Sequence, residues 1–318
     1  MTVVLVTGAA GFIGRTLTRV LIEEGRLDGA SGSAITRLTL ADRAPTSPPL
    51  APFEVRRVTT RLSAAELGAL AHDADVIFHL AAALTLEAER DVSGGWDANL
   101  ALPLALLEAA RAGGQRPRVV FASSIAVFGP EVQSPVTEER LRTPRTSYGT
   151  AKCVVELLLA DYTRRGVLDG RAVRLPFVLT RPGAPTSAAS DLLAEVLRGP
   201  LERRTVVSPL DPDGPVAVVT VRRAAQGLAQ VCGWPDEAFG ATRAVHQPGL
   251  TVTPRQLVDA LATQAGEDVA ARVSFRPDPA VTGIVAGWPS VFASSSTPAL
   301  APDPDVDAVV AQAMRAFA

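Results

Sequence analysis

The chain has 318 residues, 47% hydrophobic and 20% charged, with a formal net charge of −2. This describes a soluble globular protein with a large core, or two lobes sharing one. No basic run or aromatic-interleaved patch offers a nucleic-acid surface, and two cysteines (Cys153, Cys232) are too few for a disulfide framework. Three histidines (His72, His79, His246) are scattered without metal-ligand spacing, so no metal site is expected. The N-terminal apolar run has no basic region before it and is broken by Gly8, Gly11 and Gly14, unlike a signal peptide. The longest apolar stretch, Val76 to Leu86, is about half of what a membrane span needs. A cytoplasmic protein with no membrane or nucleic-acid partner is expected.

Along the first half, short apolar runs alternate with amphipathic segments, the pattern of strand–helix units on a parallel sheet. Strands are predicted at Val3–Val6, Ile35–Ala41, Phe53–Val58, Val76–Leu80, Val119–Ser123 and Ala172–Val178. Nearly continuous apolarity fits strands covered by helices on both faces. Helices are predicted over 13–24, 63–71, 95–112 and 147–165, the first ending at Gly25 as a C-cap. Residues 44–52 form a proline-rich loop, and beyond about residue 180 the rhythm becomes irregular. There, Val216–Val221 reads as a strand, 222–232 as a helix and 253–265 as a helix started by Thr253-Pro254. The expected organisation is a dinucleotide-binding part over 1–180 and a smaller substrate lobe over 181–318, with about 216–247 returning to the main sheet.

The first strand runs into Gly8-Ala-Ala-Gly11-Phe12-Ile13-Gly14 and then a helix. Glycines there allow a tight turn, close approach of a pyrophosphate and close helix–strand packing, and the helix start binds the anion. The second strand ends in Asp42, placed to accept hydrogen bonds from the hydroxyls of an adenosine ribose and to repel a 2′-phosphate. This favours NAD, although Arg43 beside it keeps NADP open. Asp42 lies 28 residues past Gly14, because a Gly/Ser-rich stretch (29–33) lengthens the intervening loop.

Lys152 is the only lysine in the chain, against thirty arginines, and follows Tyr148 by four residues. On a helix the two side chains share a face. A phenol titrating near 10 is a poor base at neutral pH, and a neighbouring ammonium would lower that value. The pair then suits proton transfer in an alcohol–carbonyl interconversion. Ser123 and Ser124 end the fifth strand, where ligands of open α/β sheets bind, and either hydroxyl could hold the reacting oxygen or simply cap the strand.

Together, Gly8-x-x-Gly11-x-x-Gly14, Asp42, His79-Leu-Ala-Ala82, Asn99, Ser123-Ser124-Ile-Ala-Val-Phe-Gly129 and Tyr148-x-x-x-Lys152 resemble the extended short-chain dehydrogenase/reductases of the NAD-dependent epimerase/dehydratase group. The resemblance covers about residues 1–183. It implies a Rossmann-type doubly wound parallel sheet, NAD as cofactor, and Tyr148, Lys152 and Ser124 as catalytic residues. By position it also implies cofactor contacts from Gly8, Gly11, Phe12, Ile13, Gly14, Asp42, Leu62, Leu80, Ala81, Ala82, Asn99, Tyr148, Lys152, Pro176 and Val178. Two departures stand out. Arg61-Leu62 replaces the acidic residue common after strand three, and Phe128 replaces the tyrosine common before the glycine.

The stretch Arg174 to Ser190 and Gly287-Trp-Pro-Ser290 resemble dehydrogenases of small sugar acids within the group. That points to NAD-dependent oxidation of a 2-hydroxyl, with Ser123, Ser124, Tyr148, Arg181 and Arg222 facing the substrate. Arg222 or Arg181 would take its carboxylate, unless Arg222 merely decorates a solvated helix start. A nucleotide-sugar epimerase or dehydratase and a non-catalytic dinucleotide sensor remain the alternatives. The helices over 95–112 and 147–165 carry surplus apolar residues (Leu100, Leu104, Leu107, Val154, Leu158), which fit either a homodimer, common in this family, or a fully covered core.

Overall fold

The computed structural model describes residues 2–27, 32–61, 63–131, 134–179, 189–294 and 296–317. Strand β1 (Thr2–Thr7) leads into helix α1 (Phe12–Glu24). Gly25 ends that helix in the left-handed region at φ 63°, its N–H closing on Leu21 O. Then come β2 (Ile35–Asp42), β3 (Glu54–Thr59), α2 (Ala64–His72) and β4 (Val76–His79). Ser63 and Glu66 form a capping box at the start of α2. Next are α3 (Thr85–Arg90), α4 (Val92–Trp96), a π-helical turn (Asp97–Ala101) and α5 (Leu102–Gly113). Strand β5 (Arg118–Ser124), helix α6 (Ser147–Arg164), β6 (Asp169–Leu175) and β7 (Phe177–Leu179) follow. The remainder contains α7 (Ala189–Leu201), β8 (Val206–Ser208), β9 (Val216–Thr220), α8 (Val221–Gly233), β10 (Ala244–His246) and β11 (Leu250–Val252). It ends with α9 (Pro254–Ala265), α10 (Glu267–Ala270), β12 (Val273–Phe275), α11 (Pro279–Ala286) and α12 (Val306–Phe317).

The main sheet has the order β10-β6-β5-β4-β1-β2-β3, with every neighbouring pair parallel. Strand succession runs outward from β1 in one direction and from β4 in the other. The crevice at this reversal is where open α/β sheets bind ligands. Buried residues of α1 and α8 cover one face, and those of α2, α5 and α6 cover the other. A third apolar cluster joins β7 and β9 to α7, α9 and α12. Among the described residues no helix is long and apolar enough to cross a membrane.

Three expectations change. The single strand expected over Ala172–Val178 is two, interrupted at Pro176, and β7 leaves the main sheet to pair with β9. Proline has no N–H to continue the ladder, so the chain switches sheets there. The expected return over 216–247 divides likewise. β9 pairs with β7 and β11 in a three-stranded sheet, and Ala244–His246 alone joins the main sheet, beside β6. The helix expected over 95–112 is interrupted by the π turn, where Leu102 N–H reaches back to Asp97 O. Pro103 lacks the donor for a regular bond to Asn99 O, which explains why the wider turn sits just before it.

Candidate active site

At the carboxyl end of the sheet lies a cavity of about 1020 Å³, reaching from the glycine loop across β1 and β4 to α6 and α7. At one end, Gly8 has φ +71° and packs on the turn after β4 so closely that a Cβ would lie 2.6 Å from Ala81 N. A Cβ on Gly14 would lie 2.1 Å from Gly8 O. These positions tolerate only glycine, and their packing brings bare backbone to the cavity wall. Gly11 caps α1 without a side-chain partner, and the first turn holds no acidic residue, so the positive helix end faces the cavity. Phe12, Ile13, Leu80, Ala81 and Ala82 complete this wall. Asp42 also lines it, with Oδ2 accepting from Ala10 N at 2.9 Å and Oδ1 from Ala44 N at 3.0 Å. A backbone cradle, an uncapped helix start and a strand-end carboxylate fit a dinucleotide.

At the other end, Ser124, Tyr148 and Lys152 line the cavity, as do Pro176 and Val178. Helix α6 is held there by Thr146, whose hydroxyl accepts from Gly149 N at 2.9 Å, and by Glu89, whose carboxylate accepts from Ser147 N at 2.6 Å. Gly149 lets the helix touch the turn after β5, since a Cβ there would lie 2.1 Å from Ala126 O. Sequence reasoning passed over this glycine because it belongs to neither the phosphate loop nor a turn.

Lys152 is buried. Its Nζ donates to Ala122 O at 2.8 Å and lies 4.4 Å from the Phe121 ring centroid and 5.3 Å from that of Tyr148. Burial pushes its ammonium down to about 7, and Glu156 opposes that fall. Burial pushes the Tyr148 phenol up to about 12, while its hydrogen bond with Ser124 pulls the other way. The lowering expected from Lys152 does not prevail, because burial of the phenol is the larger effect. His79 shares a 2.8 Å hydrogen bond with Thr7 Oγ1; burial first, then Lys152, press its ring down to about 3.

Several expected roles change. Ser123 reaches the cavity wall, but its hydroxyl donates to Glu156 at 2.6 Å, behind the wall. Asn99 is buried outside the lining. Its Oδ1 accepts from Ala83 N at 2.9 Å and its Nδ2 donates to Ala83 O at 3.2 Å, so it staples the turn carrying Ala81 and Ala82. Arg222 is not at the cavity; it points outward from α8, half exposed, and pairs with Glu23 of α1 at 3.0 Å. Leu62 and Arg181 lie outside the described residues. Phe177, Ser190, Asp191 and Trp288, not singled out individually from sequence, line the cavity beyond Tyr148. Their only sequence signal was the resemblance of the segments around them, because β7, α7 and the residues after α11 meet only in the fold.

The arrangement fits a dinucleotide-dependent oxidoreductase on an open parallel sheet. A sequence profile described as the NAD dependent epimerase/dehydratase family matches residues 4–213, and the chain belongs to that family, with NAD as its cofactor. It is 40% identical over 294 residues to a D-erythronate dehydrogenase of Cupriavidus necator, covering 91% of this chain and 90% of that one. A D-erythronate dehydrogenase of Haemophilus influenzae is 30% identical over 292 residues, 90% of each chain. The crystal structure of a nucleoside-diphosphate-sugar epimerase from Agrobacterium tumefaciens superposes with a TM-score of 0.86 at 33% identity, covering 97% of this chain and 92% of that one.

Lys152 titrates well below its ordinary 10.5, so the folded protein holds a desolvated charge below about pH 7. The destabilisation is complete there and is relieved as pH rises toward 10.5. Lys152→Met should therefore raise Tm at pH 6 by roughly 2 °C or more for each 1 kcal/mol recovered. Thermal melts from pH 6 to 10 should show that gain shrinking as pH rises.

Proposed function

We propose that the protein oxidises the 2-hydroxyl of a small sugar acid of the D-erythronate type, using NAD. The observation carrying the chemistry is the convergence of Ser124, Tyr148 and Lys152 on one wall of the cavity that the glycine loop also lines. The substrate class is supported by 40% identity to a D-erythronate dehydrogenase across nine-tenths of both chains. Residues 1–180 would hold the cofactor and 181–318 the substrate.

Gly8, Gly11 and the start of α1 would take the pyrophosphate, Asp42 the adenosine ribose, and Lys152 the nicotinamide ribose. NAD, when bound, supplies the hydride acceptor and a positive charge beside the reacting carbon. Ser124 Oγ orients the substrate hydroxyl toward Tyr148, and Tyr148 Oη takes its proton. Lys152, as an ammonium, favours the phenolate. Among the described residues the lining beyond Tyr148 has no arginine or lysine to meet a carboxylate. That assignment therefore passes from Arg222 to Arg181.

The second reading is a nucleotide-sugar epimerase or dehydratase, favoured by the likeness to the Agrobacterium epimerase. NAD reduction measured against four-carbon sugar acids and nucleotide sugars separates the two. A sugar acid with a free 2-hydroxyl should drive net NADH formation. Turnover of a nucleotide sugar without net NADH would replace the first reading with the second. Tyr148→Phe should lower kcat by about 10²- to 10⁴-fold and leave NAD binding by fluorescence near normal.

We further propose a cytoplasmic homodimer. Cys153 and Cys232 are buried and not joined in a disulfide, which suits a reducing compartment. Of the surplus apolar residues, Leu107 is buried, and Leu100 and Leu158 pack against the same core cluster. Leu104 of α5 remains 37% exposed, and Leu157 of α6, a residue outside that set, 56% exposed. Leu157→Glu should convert a dimer at micromolar concentration to a monomer by light scattering; an unchanged mass would remove these helices from the interface.

A further inference from the structure

Glu156 is fully buried on α6, one turn beyond Lys152 and two beyond Tyr148. Its Oε1 accepts from Ser123 Oγ at 2.6 Å and from Arg174 Nε at 3.0 Å. Its Oε2 accepts from Arg174 Nη2 and from Arg142 Nη1, both at 2.9 Å. Arg174 is fully buried as well, and its Nη1 continues to Glu138 O at 2.9 Å. One carboxylate thus ties α6 to β5 through Ser123, to β6 through Arg174, and to the segment between them through Arg142.

The register is specific. Three successive residues at the end of β5 each hold one of three residues spaced by four along α6. Ser124 bonds Tyr148, Ser123 bonds Glu156, and the Ala122 carbonyl bonds Lys152. Glu156 is therefore the member of the series that meets neither cofactor nor substrate. We propose that Glu156 is a positioning residue of this site, fixing α6 against β5 and β6 and setting its carboxylate one turn from Lys152.

The surrounding groups leave this task to Glu156. Around Lys152, Tyr148 stands on α6 and His79 on β4, and neither is charged at neutral pH, being pushed to about 12 and about 3. Around Glu156, Cys153 is pushed up to about 12 and His246 of β10 down to about 4, so both are neutral as well. Arg142 and Arg174 face Glu156 as fixed cations, and Glu138 lies beyond Arg174. The two guanidiniums hold the Glu156 carboxyl below its ordinary range in spite of burial. Among the described residues, Glu156 is the charge that acts to raise the titration of Lys152.

The proposal rests on Lys152 being the working ammonium, but its test needs neither substrate nor turnover. A chain with one lysine, grown with ¹³Cε-labelled lysine, gives one lysine signal, and its shift titrates Lys152 directly in the full-length protein. The midpoint expected for the unsubstituted protein is near 7. Glu156→Gln should lower it by about one pH unit or more, and Arg142→Met, which removes a competing cation, should raise it. Support requires these opposed shifts, which a merely structural anchor would not produce. A folded Glu156→Gln protein with an unmoved midpoint overturns the proposal. If that variant does not fold, an unmoved midpoint in Arg142→Met does the same. A failed substrate panel would leave the lysine titration intact, so the two readings fail separately.

Discussion

The site depends on how α6 is laid against the end of β5. Charge has to be carried into a place that water does not reach, and a buried cation is expensive unless something opposite faces it. The helix meets this with a four-residue repeat: Tyr148 at the cavity, Lys152 behind it and Glu156 deepest. The strand end answers with two hydroxyls and a carbonyl. Gly149 permits the contact, because any side chain there would collide with Ala126 O and lift the helix start away. Ser123 and Ser124, adjacent in sequence, consequently do different work. Alternation along the strand turns one hydroxyl to Glu156 and the other to Tyr148.

The cofactor end solves a different problem, close approach of backbone to backbone. Gly8 packs on the Ala81 turn, Gly14 packs on Gly8, and Asn99 holds that turn from behind through Ala83. A change at either glycine would therefore displace two walls of the crevice at once. The π turn carrying Asn99 belongs to the same construction. It lies just before Pro103, and Asn99 there reaches Ala83 with both ends of its amide.

Much of this was legible in the chain. Most strands of the first half were visible as apolar runs, because burial on both faces leaves little polar alternation to confuse the reading. The edge strand β3, Glu-Val-Arg-Arg-Val-Thr with no buried residue, is the exception. The glycine loop, Asp42 and the Tyr148–Lys152 spacing were legible because each is local, with strand, turn and helix adjacent in sequence. What was missed is what depends on long-range encounter. Pro176 ends one strand and starts another in a different sheet, a switch set by where β9 lies and invisible in the apolar run. Arg222 looked like an anion site because a guanidinium at a helix start opposes the helix dipole. In the fold that charge is answered by Glu23, 199 residues earlier in the chain. Asp191 and Trp288 reach the cavity from segments with no strong local pattern.

The lone lysine acquires a physical reason from the company of buried arginines. Arg171, Arg174 and Arg198 are almost wholly inaccessible, and each works as a fixed strut. Arg171 donates to the carbonyls of Val231, Cys232 and Trp234 at the end of α8, Arg174 grips Glu156, and Arg198 pairs with Asp191. A guanidinium keeps its charge under burial and presents a wide planar fork, which suits a permanent brace. An ammonium is a compact donor whose charge burial can unsettle, and that is the condition of Lys152, poised near neutrality. Throughout this interior arginine is used where charge has to be constant. The lone lysine stands on the cavity wall, where burial has brought its titration close to neutral pH.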